Sequence, residues 1–241
     1  MLLTENYKNL KFLAIIPARG GSKRIPGKNI RKFCDLPMIS FPIRICQDAN
    51  FFDEIFVSTD DLEISEISKF YGASVPFLRN KELASDQMPT MPVIADFIKN
   101  LRIESETIVF CVYATNPFLE VADLKKARDI LCETNLTRNE FDFVSTVTTF
   151  PFPIQRSLKR IEKDVFEMAE KKYLWTHSQN LEDRFHGASQ FWAGYAEKWM
   201  SAESMDSRIK GIVIPRWRVQ DIDTEEDWTR AELMYKAIAL Q

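Results

Sequence analysis

The chain has 241 residues, 45% of them hydrophobic and 28% charged, with a formal net charge of −3. That length suits one α/β domain with a sizeable core, taken here as a single domain over 1–241. The mildly acidic balance argues against nucleic acid as a partner, because a duplex binder carries a basic face and a high isoelectric point. No run approaches the roughly 20 apolar residues that span a bilayer, so no membrane partner is expected.

Residues 1–10 include Glu5, Asn6 and Lys8 and lack the apolar core of a secretion signal. The cysteines, Cys34, Cys46, Cys111 and Cys132, form no C-x-x-C pair and read as reduced thiols of a cytoplasmic protein. His177 and His186 lack the spacing of a zinc pair.

In chain order, an apolar strand is expected over 12–16, ended by Pro17, which cannot donate a ladder hydrogen bond. The loop after it holds Gly20, Gly21 and Gly27 and four cations, Arg19, Lys23, Arg24 and Lys28. A helix over 37–50 has Met38, Phe41, Ile45 and Ala49 at helical spacing, with Pro37 in its first turn. A strand over 54–58 leads to Asp60, placed to cap a helix over 61–71 that Gly72 ends. A short strand over 74–78, a loop over 79–89 and a helix over 90–101 follow. The most continuous apolar strand covers 107–113, then come a helix over 121–133 and a buried strand over 143–148.

This alternation predicts a Rossmann-like, doubly wound, mainly parallel sheet. Ligands of such sheets bind off the carboxyl ends of the strands. That rule puts the Arg19 loop, the Ser58-Thr59-Asp60 turn and the Thr115-Asn116-Pro117 turn on one rim. Residues 149–180 break the pattern with prolines and mixed charged and aromatic residues, and read as an insertion or arm. Strands over 190–193 and 210–215 return to the sheet. A last helix over 224–240 opens with Glu225, Glu226 and Asp227, acids suited to the positive end of its dipole. The five tryptophans read as packing residues.

Three stretches carry chemistry. The first is the glycine-containing loop, where backbone N–H groups can approach an anion and Lys and Arg add fixed charge. It is neither a P-loop, since Ser22 and Asn29 stand where Gly and Ser/Thr are required, nor a dinucleotide fingerprint, since Gly20 and Gly21 are adjacent. It reads as a polyphosphate cradle. The second is Asp221 and Asp223, two apart and facing the same way on an extended chain. Spacing alone leaves two readings open. Either the pair holds Mg²⁺, or Asp223 caps the last helix and Asp221 is solvated. The third, Arg79 with Glu82-Leu83-Ala84-Ser85-Asp86, is on residues alone a surface turn.

The run Ile16-Pro17-Ala18-Arg19-Gly20-Gly21-Ser22-Lys23-Arg24-Ile25-Pro26-Gly27-Lys28-Asn29 resembles the signature of the CMP-nonulosonate synthetases, the acylneuraminate cytidylyltransferase family of sugar-acid cytidylyltransferases. The resemblance continues through the Leu-Ala-Ser-Asp segment, the 185–192 run and the Asp pair. It implies a sheet of the nucleotide-diphosphosugar transferase type. It also implies transfer of CMP from CTP to the anomeric hydroxyl of a nine-carbon acidic sugar, with release of pyrophosphate. Arg19, Lys28 and Asp221 would be catalytic. Ala18, Arg19, Gly20, Ser22, Lys23, Asn29, Arg79, Ser85, Tyr113 and Gln190 would contact nucleotide or sugar. Asp221 and Asp223 would hold Mg²⁺. Residues 149–180 would build a homodimer. Tyr113 stands where many relatives have Gln, which points away from sialic acid and toward the pseudaminate branch. His177, Asn180 and Ser189 depart from that branch's usual Arg, Asp and Gly.

Overall fold

The computed structural model describes residues 10–133, 140–206 and 208–239. The readings made on residues 1–9 and on Leu240 lie outside them.

A six-stranded sheet forms the centre, built from β1 (Phe12–Pro17), β4 (Glu54–Ser58), β5 (Ile108–Val112), β6 (Phe143–Thr149), β9 (Phe185–Tyr195) and β10 (Ile209–Val213) in the order β10-β6-β9-β5-β1-β4. β1 pairs in parallel with β4 and β5, and β6 with β10. β9 is antiparallel to both its neighbours, so the sheet is mainly but not wholly parallel. β5 is buried at every residue, as its unbroken Ile-Val-Phe-Cys-Val run requires of a strand covered on both faces.

One face carries α1 (Ser40–Ala49), α2 (Leu62–Phe70) and α4 (Val121–Glu133), whose Ile43, Ile64 and Leu124 join Ala14, Ile16 and Phe110 in one core. The other carries α3 (Thr90–Leu101) and α5 (Ala196–Ser201), where Ile94, Phe97 and Trp199 pack on Ile15, Val109 and Cys111. A third core joins the stretch after β1 to the last helix. Ile25 from the basic loop, Phe33 and Met38 meet Ile222, Trp228 and Ala231 of α6 (Glu225–Ala239) and the segment before it.

Several predicted elements shift. The helix expected over 37–50 begins at Ser40, because 32–37 folds into a two-residue-per-strand hairpin, β2 (Lys32–Phe33) and β3 (Leu36–Pro37). Cys34 and Asp35 make its turn with positive φ. Pro42 then falls in the helix's first turn, where its missing N–H removes no bond. Asp61, not Asp60, caps α2, accepting from the Ile64 N–H at 3.0 Å. Gly72 ends α2 at φ +89° as expected. The strand over 74–78 reduces to one bridge between Ser74 and Phe56. The strand over 190–193 is the inner part of an eleven-residue one. The arm contains an exposed antiparallel hairpin, β7 (Leu158–Glu162) and β8 (Val165–Met168). Trp192, Trp199 and Trp228 are buried as packing residues, whereas Trp175 and Trp217 are exposed. All four cysteines are free, with Cys34 half-buried and the others buried. Among the described residues no helix is long and apolar enough to cross a membrane.

Candidate active site

From β1 the chain crosses to β4 on one side and later to β5 on the other, which opens a crevice at their carboxyl ends. A cavity of about 220 Å³ lies there. Its floor is Pro17 and Tyr113-Ala114-Thr115. One wall is the basic loop, through Arg19, Ser22, Lys28 and Asn29. The other is the 79–90 segment, through Arg79, Leu83, Ser85, Asp86, Met88 and Thr90.

Each wall has a local cause. Asn29 is buried and its amide donates to the Arg19 carbonyl at 2.9 Å, which folds the basic loop back on itself. Gly27 takes φ +62°, a left-handed turn natural to glycine. Ala18 is fully buried and extends the β1–β4 ladder, its N–H donating to the Ser58 carbonyl at 2.9 Å. Gly20 has a different role from the anion-facing N–H expected of it. Its N–H donates to Asp60 Oδ1 at 3.0 Å, and a Cβ there would come within 2.6 Å of Asp61 Oδ2. Glycine is required because the turn before α2 presses against the loop.

Arg79 is buried beneath the second wall. Its Nε donates to Ser58 Oγ at 3.1 Å, its Nη2 to the Ser58 carbonyl and its Nη1 to the Leu83 carbonyl at 3.5 Å. Burial lowers its pKa from the usual arginine value, with Asp60 opposing the fall. Arg79 therefore joins the end of β4 to the 3₁₀ turn Lys81–Ala84 while its edge lines the cavity. Tyr113 meets Thr90 and Trp192 through its hydroxyl, and burial pushes it up to about 12. It is a neutral hydrogen-bonding group at ordinary pH.

Lys28 connects the cavity to the far end of the chain. Its Nζ lies 2.7 Å from the Ile222 carbonyl and 3.4 Å from Asp223 Oδ1. Arg24 reaches the same Asp223 oxygen at 2.8 Å, and Arg31 pairs with Glu225 at 2.6 Å. The basic loop and the carboxylate pair thus face each other, some two hundred residues apart in sequence and pulled together by Ile25 and Ile222 in their common core.

Asp223 does not cap α6. Thr224 Oγ1 accepts from the Asp227 N–H at 3.2 Å, and Asp227 accepts in return from the N–H groups of Asp223 and Thr224, a reciprocal cap. That leaves the Asp223 carboxylate to the cations. Asp221 is open to solvent at its edge, yet partial burial of its carboxyl and the charge of Asp223 raise its pKa above the ordinary aspartate value, with Lys28 opposing. A cation between the two carboxylates would relieve that repulsion. Among the described residues no cluster of three or more His, Cys, Asp or Glu could hold a metal alone. The donor set fits Mg²⁺, which takes one or two carboxylates and completes its shell with phosphate oxygens and water.

Gln190 stands apart from the cavity lining. It is buried, and its amide donates to the carbonyls of Phe118 at 3.4 Å and Arg218 at 3.1 Å. Lys23 also lies off the lining, exposed and paired with Asp86. Sequence reasoning passed over three residues of this region. They are Asp60, which holds Gly20; Asp86, which pairs with Arg19 and Lys23; and Arg218, a buried guanidinium on Asp123 and the Phe118 carbonyl. Asp86 was in view as part of the Leu-Ala-Ser-Asp segment, but its pairing with Arg19 and Lys23 is a tertiary contact that no local pattern signals.

The cytidylyltransferase family model matches residues 13–188. The pseudaminic acid cytidylyltransferase of Campylobacter jejuni is 36% identical over 94% of this chain and 97% of its own length. The CMP-N,N'-diacetyllegionaminic acid synthase of Legionella pneumophila is 34% identical over half of this chain and 53% of its own. A solved CMP:2-keto-3-deoxy-manno-octonic acid synthetase complexed with CTP shares the fold, with a TM-score of 0.68, 13% identity and coverage of 95% of this chain and 99% of that one. A match across most of the strands that build the cavity, joined to a near full-length relative, settles the assignment: this chain belongs to the cytidylyltransferase family.

Proposed function

We propose that the protein transfers CMP from CTP to the anomeric hydroxyl of a nonulosonic acid, pseudaminic acid first among them, and releases pyrophosphate. One observation carries the reading. Lys28 lines the cavity and at the same time touches the carboxylate loop, so one bound triphosphate can meet cations and the Asp221–Asp223 pair together. The 36% identity to a pseudaminic acid enzyme over nearly the whole chain supports the choice of sugar.

In this reading the hydroxyl oxygen bonds to the α-phosphorus, the bond to the bridging oxygen of the β-phosphate breaks, its electron pair departs with pyrophosphate, and the hydroxyl proton is released to solvent. Positioning and charge do most of the work in such a transfer. Arg19, Ser22, Lys23 and Lys28 hold the triphosphate and neutralise the leaving group. Asn29 keeps the Arg19 carbonyl, and hence the loop, in place. Arg79, Ser85 and Tyr113 line the cavity toward the nucleoside and sugar. Gln190 supports that wall from behind through the Phe118 carbonyl. Asp221 and Asp223 would hold Mg²⁺, which polarises the phosphates and favours loss of the hydroxyl proton when bound. The arm, with Leu158, Ile161, Phe166 and Trp175 exposed, would pack against a second copy to give a homodimer.

Pyrophosphate release from CTP and Mg²⁺, with pseudaminic, legionaminic and sialic acids in parallel, tests this. Fastest release with pseudaminic acid is expected. No release with any acid sugar would overturn the activity, and a preference for sialic acid would overturn the substrate.

A further inference from the structure

Asp86 is the only acid among the described residues that line the cavity. Its two oxygens hold two different cations of the basic loop, Arg19 on the cavity wall and Lys23 just off it. Oδ1 takes Arg19 Nη1, and Oδ2 lies 2.5 Å from Lys23 Nζ. A carboxylate spread over two cations copies what two oxygens of a polyphosphate would do at the same place. Lys23 and Arg19, by hydrogen bonding and charge, keep the Asp86 carboxyl below the usual aspartate range, so it remains an anion across ordinary pH.

We propose that Asp86 competes with the polyphosphate for Arg19 and Lys23, so that it weakens the hold of the site on CTP and speeds the departure of pyrophosphate. The inference rests on the reading of the basic loop as the polyphosphate site. The exchange is one set of ion pairs for another, with no covalent bond made or broken. It is feasible because the pairs are near solvent. Lys23 is 82% exposed, and Arg19 and Asp86 are each about one-third exposed. Exposed pairs are weak and reform readily. A triphosphate offers more charge-assisted contacts than one carboxylate and wins the cations on binding. Once cleaved, pyrophosphate no longer has the nucleoside to anchor it, and the tethered carboxylate is positioned to take the cations back. Asp86 is well placed for this because it follows the 3₁₀ turn Lys81–Ala84, which Arg79 fastens to the sheet through Leu83. Its effective concentration at the cations is set by that fastening rather than by diffusion.

A different role would give the opposite sign. Were Asp86 there to hold Arg19 in its productive position, removing the carboxylate would loosen the site and weaken binding. Affinity therefore decides between them. Asp86→Asn keeps the size of the side chain at an exposed position, and Asp86→Glu keeps its charge. Calorimetric titration with CTP and with pyrophosphate should show both binding about three- to tenfold tighter in Asp86→Asn, the scale of losing exposed competing pairs. Asp86→Glu should remain near wild type. Unchanged or weaker affinity in a folded Asp86→Asn protein would overturn the proposal. Arg19→Ala separates this from the underlying reading. If it binds pyrophosphate as well as wild type, the loop is not the polyphosphate site. If it binds poorly while Asp86→Asn fails to tighten, only the role of Asp86 is lost.

Discussion

Arg218 and Arg19 are both guanidiniums paired with an aspartate, and their surroundings give the two pairs opposite uses. Arg218 is buried against Asp123, with its Nη2 also on the Phe118 carbonyl at 3.2 Å and its own carbonyl held by Gln190. Its Nε also reaches the half-exposed Glu120 at 2.9 Å, but the Arg218 and Asp123 side chains are themselves nearly buried, so solvent has little access to their pair. Arg19 meets Asp86 at the mouth of the cavity, where water or another anion can replace the carboxylate at small cost. The buried pair fixes the approach to the carboxylate loop, three residues before Asp221. The open pair marks where a ligand exchanges with the protein. The same bond chemistry is architecture in one place and a binding site in the other.

The largest effect should come from breaking the buried pair on one side. Arg218→Met leaves Asp123 charged and without its guanidinium, and should cost about 3–5 kcal/mol in denaturant unfolding. Arg218→Met with Asp123→Leu removes both charges and should recover most of that loss. If the double variant is as unstable as the single one, the destabilisation comes from lost packing and not from a stranded charge.

The carboxylate pair lies between these extremes. Asp221→Asn should lower turnover about 10²- to 10³-fold, the scale of removing one electrostatic contact made in the transition state, while the thermal midpoint holds or rises. The sign follows from the raised carboxyl. A group whose folded pKa lies above its unfolded value disfavours the charged form in the fold, so it detracts from stability as pH rises through that folded pKa. The amide removes that cost. For the same reason Mg²⁺ affinity of the wild-type protein should weaken as pH falls through a range above 3.8, the ordinary aspartate value. Calorimetric Mg²⁺ titration across pH reads this, and a flat profile would remove Asp221 from the metal site.

These contrasts also show what the sequence could reveal. The basic loop was legible because four cations with glycines directly after a buried strand have few bland explanations. The rim was legible because carboxyl strand ends gather by topology. Why the basic loop meets the carboxylate segment was not legible. Ile25 and Ile222 each sit among charged residues, with no periodicity to mark them as core, yet both are buried in one cluster with Trp228. The direction of β9 was hidden too. A short run, Gln190 to Ala193, shows a strand but not its partners, and the bulge between Ser145 and Val147 breaks its register. Gly20 was read as serving an anion because the turn that crowds it, at Asp60 and Asp61, lies 40 residues on. Gln190 looked like a contact to substrate from its motif, and burial behind Phe118 is a fact of tertiary packing alone.

The smallest effect should come from Arg24, which tests whether an open pair near the carboxylates contributes to the fold at all. Arg24 lies 2.8 Å from Asp223 Oδ1, but its side chain is 67% exposed, and Lys28, far less exposed, holds the same oxygen at 3.4 Å. Holding a long exposed side chain in one geometry offsets most of the Coulomb gain, so Arg24→Gln should change stability by no more than about 0.5 kcal/mol. Its effect should fall on ligand binding. Arg24 places a positive charge on the carboxylate that Mg²⁺ would use, so Arg24→Gln should tighten Mg²⁺ binding by about two- to threefold at low salt, fading as ionic strength screens the pair. Lys28→Gln should instead weaken CTP binding, because Lys28 lines the cavity and is only 19% exposed. If Arg24→Gln destabilises the protein as much as Arg218→Met does, then exposure is not what separates exchangeable pairs from structural ones in this molecule.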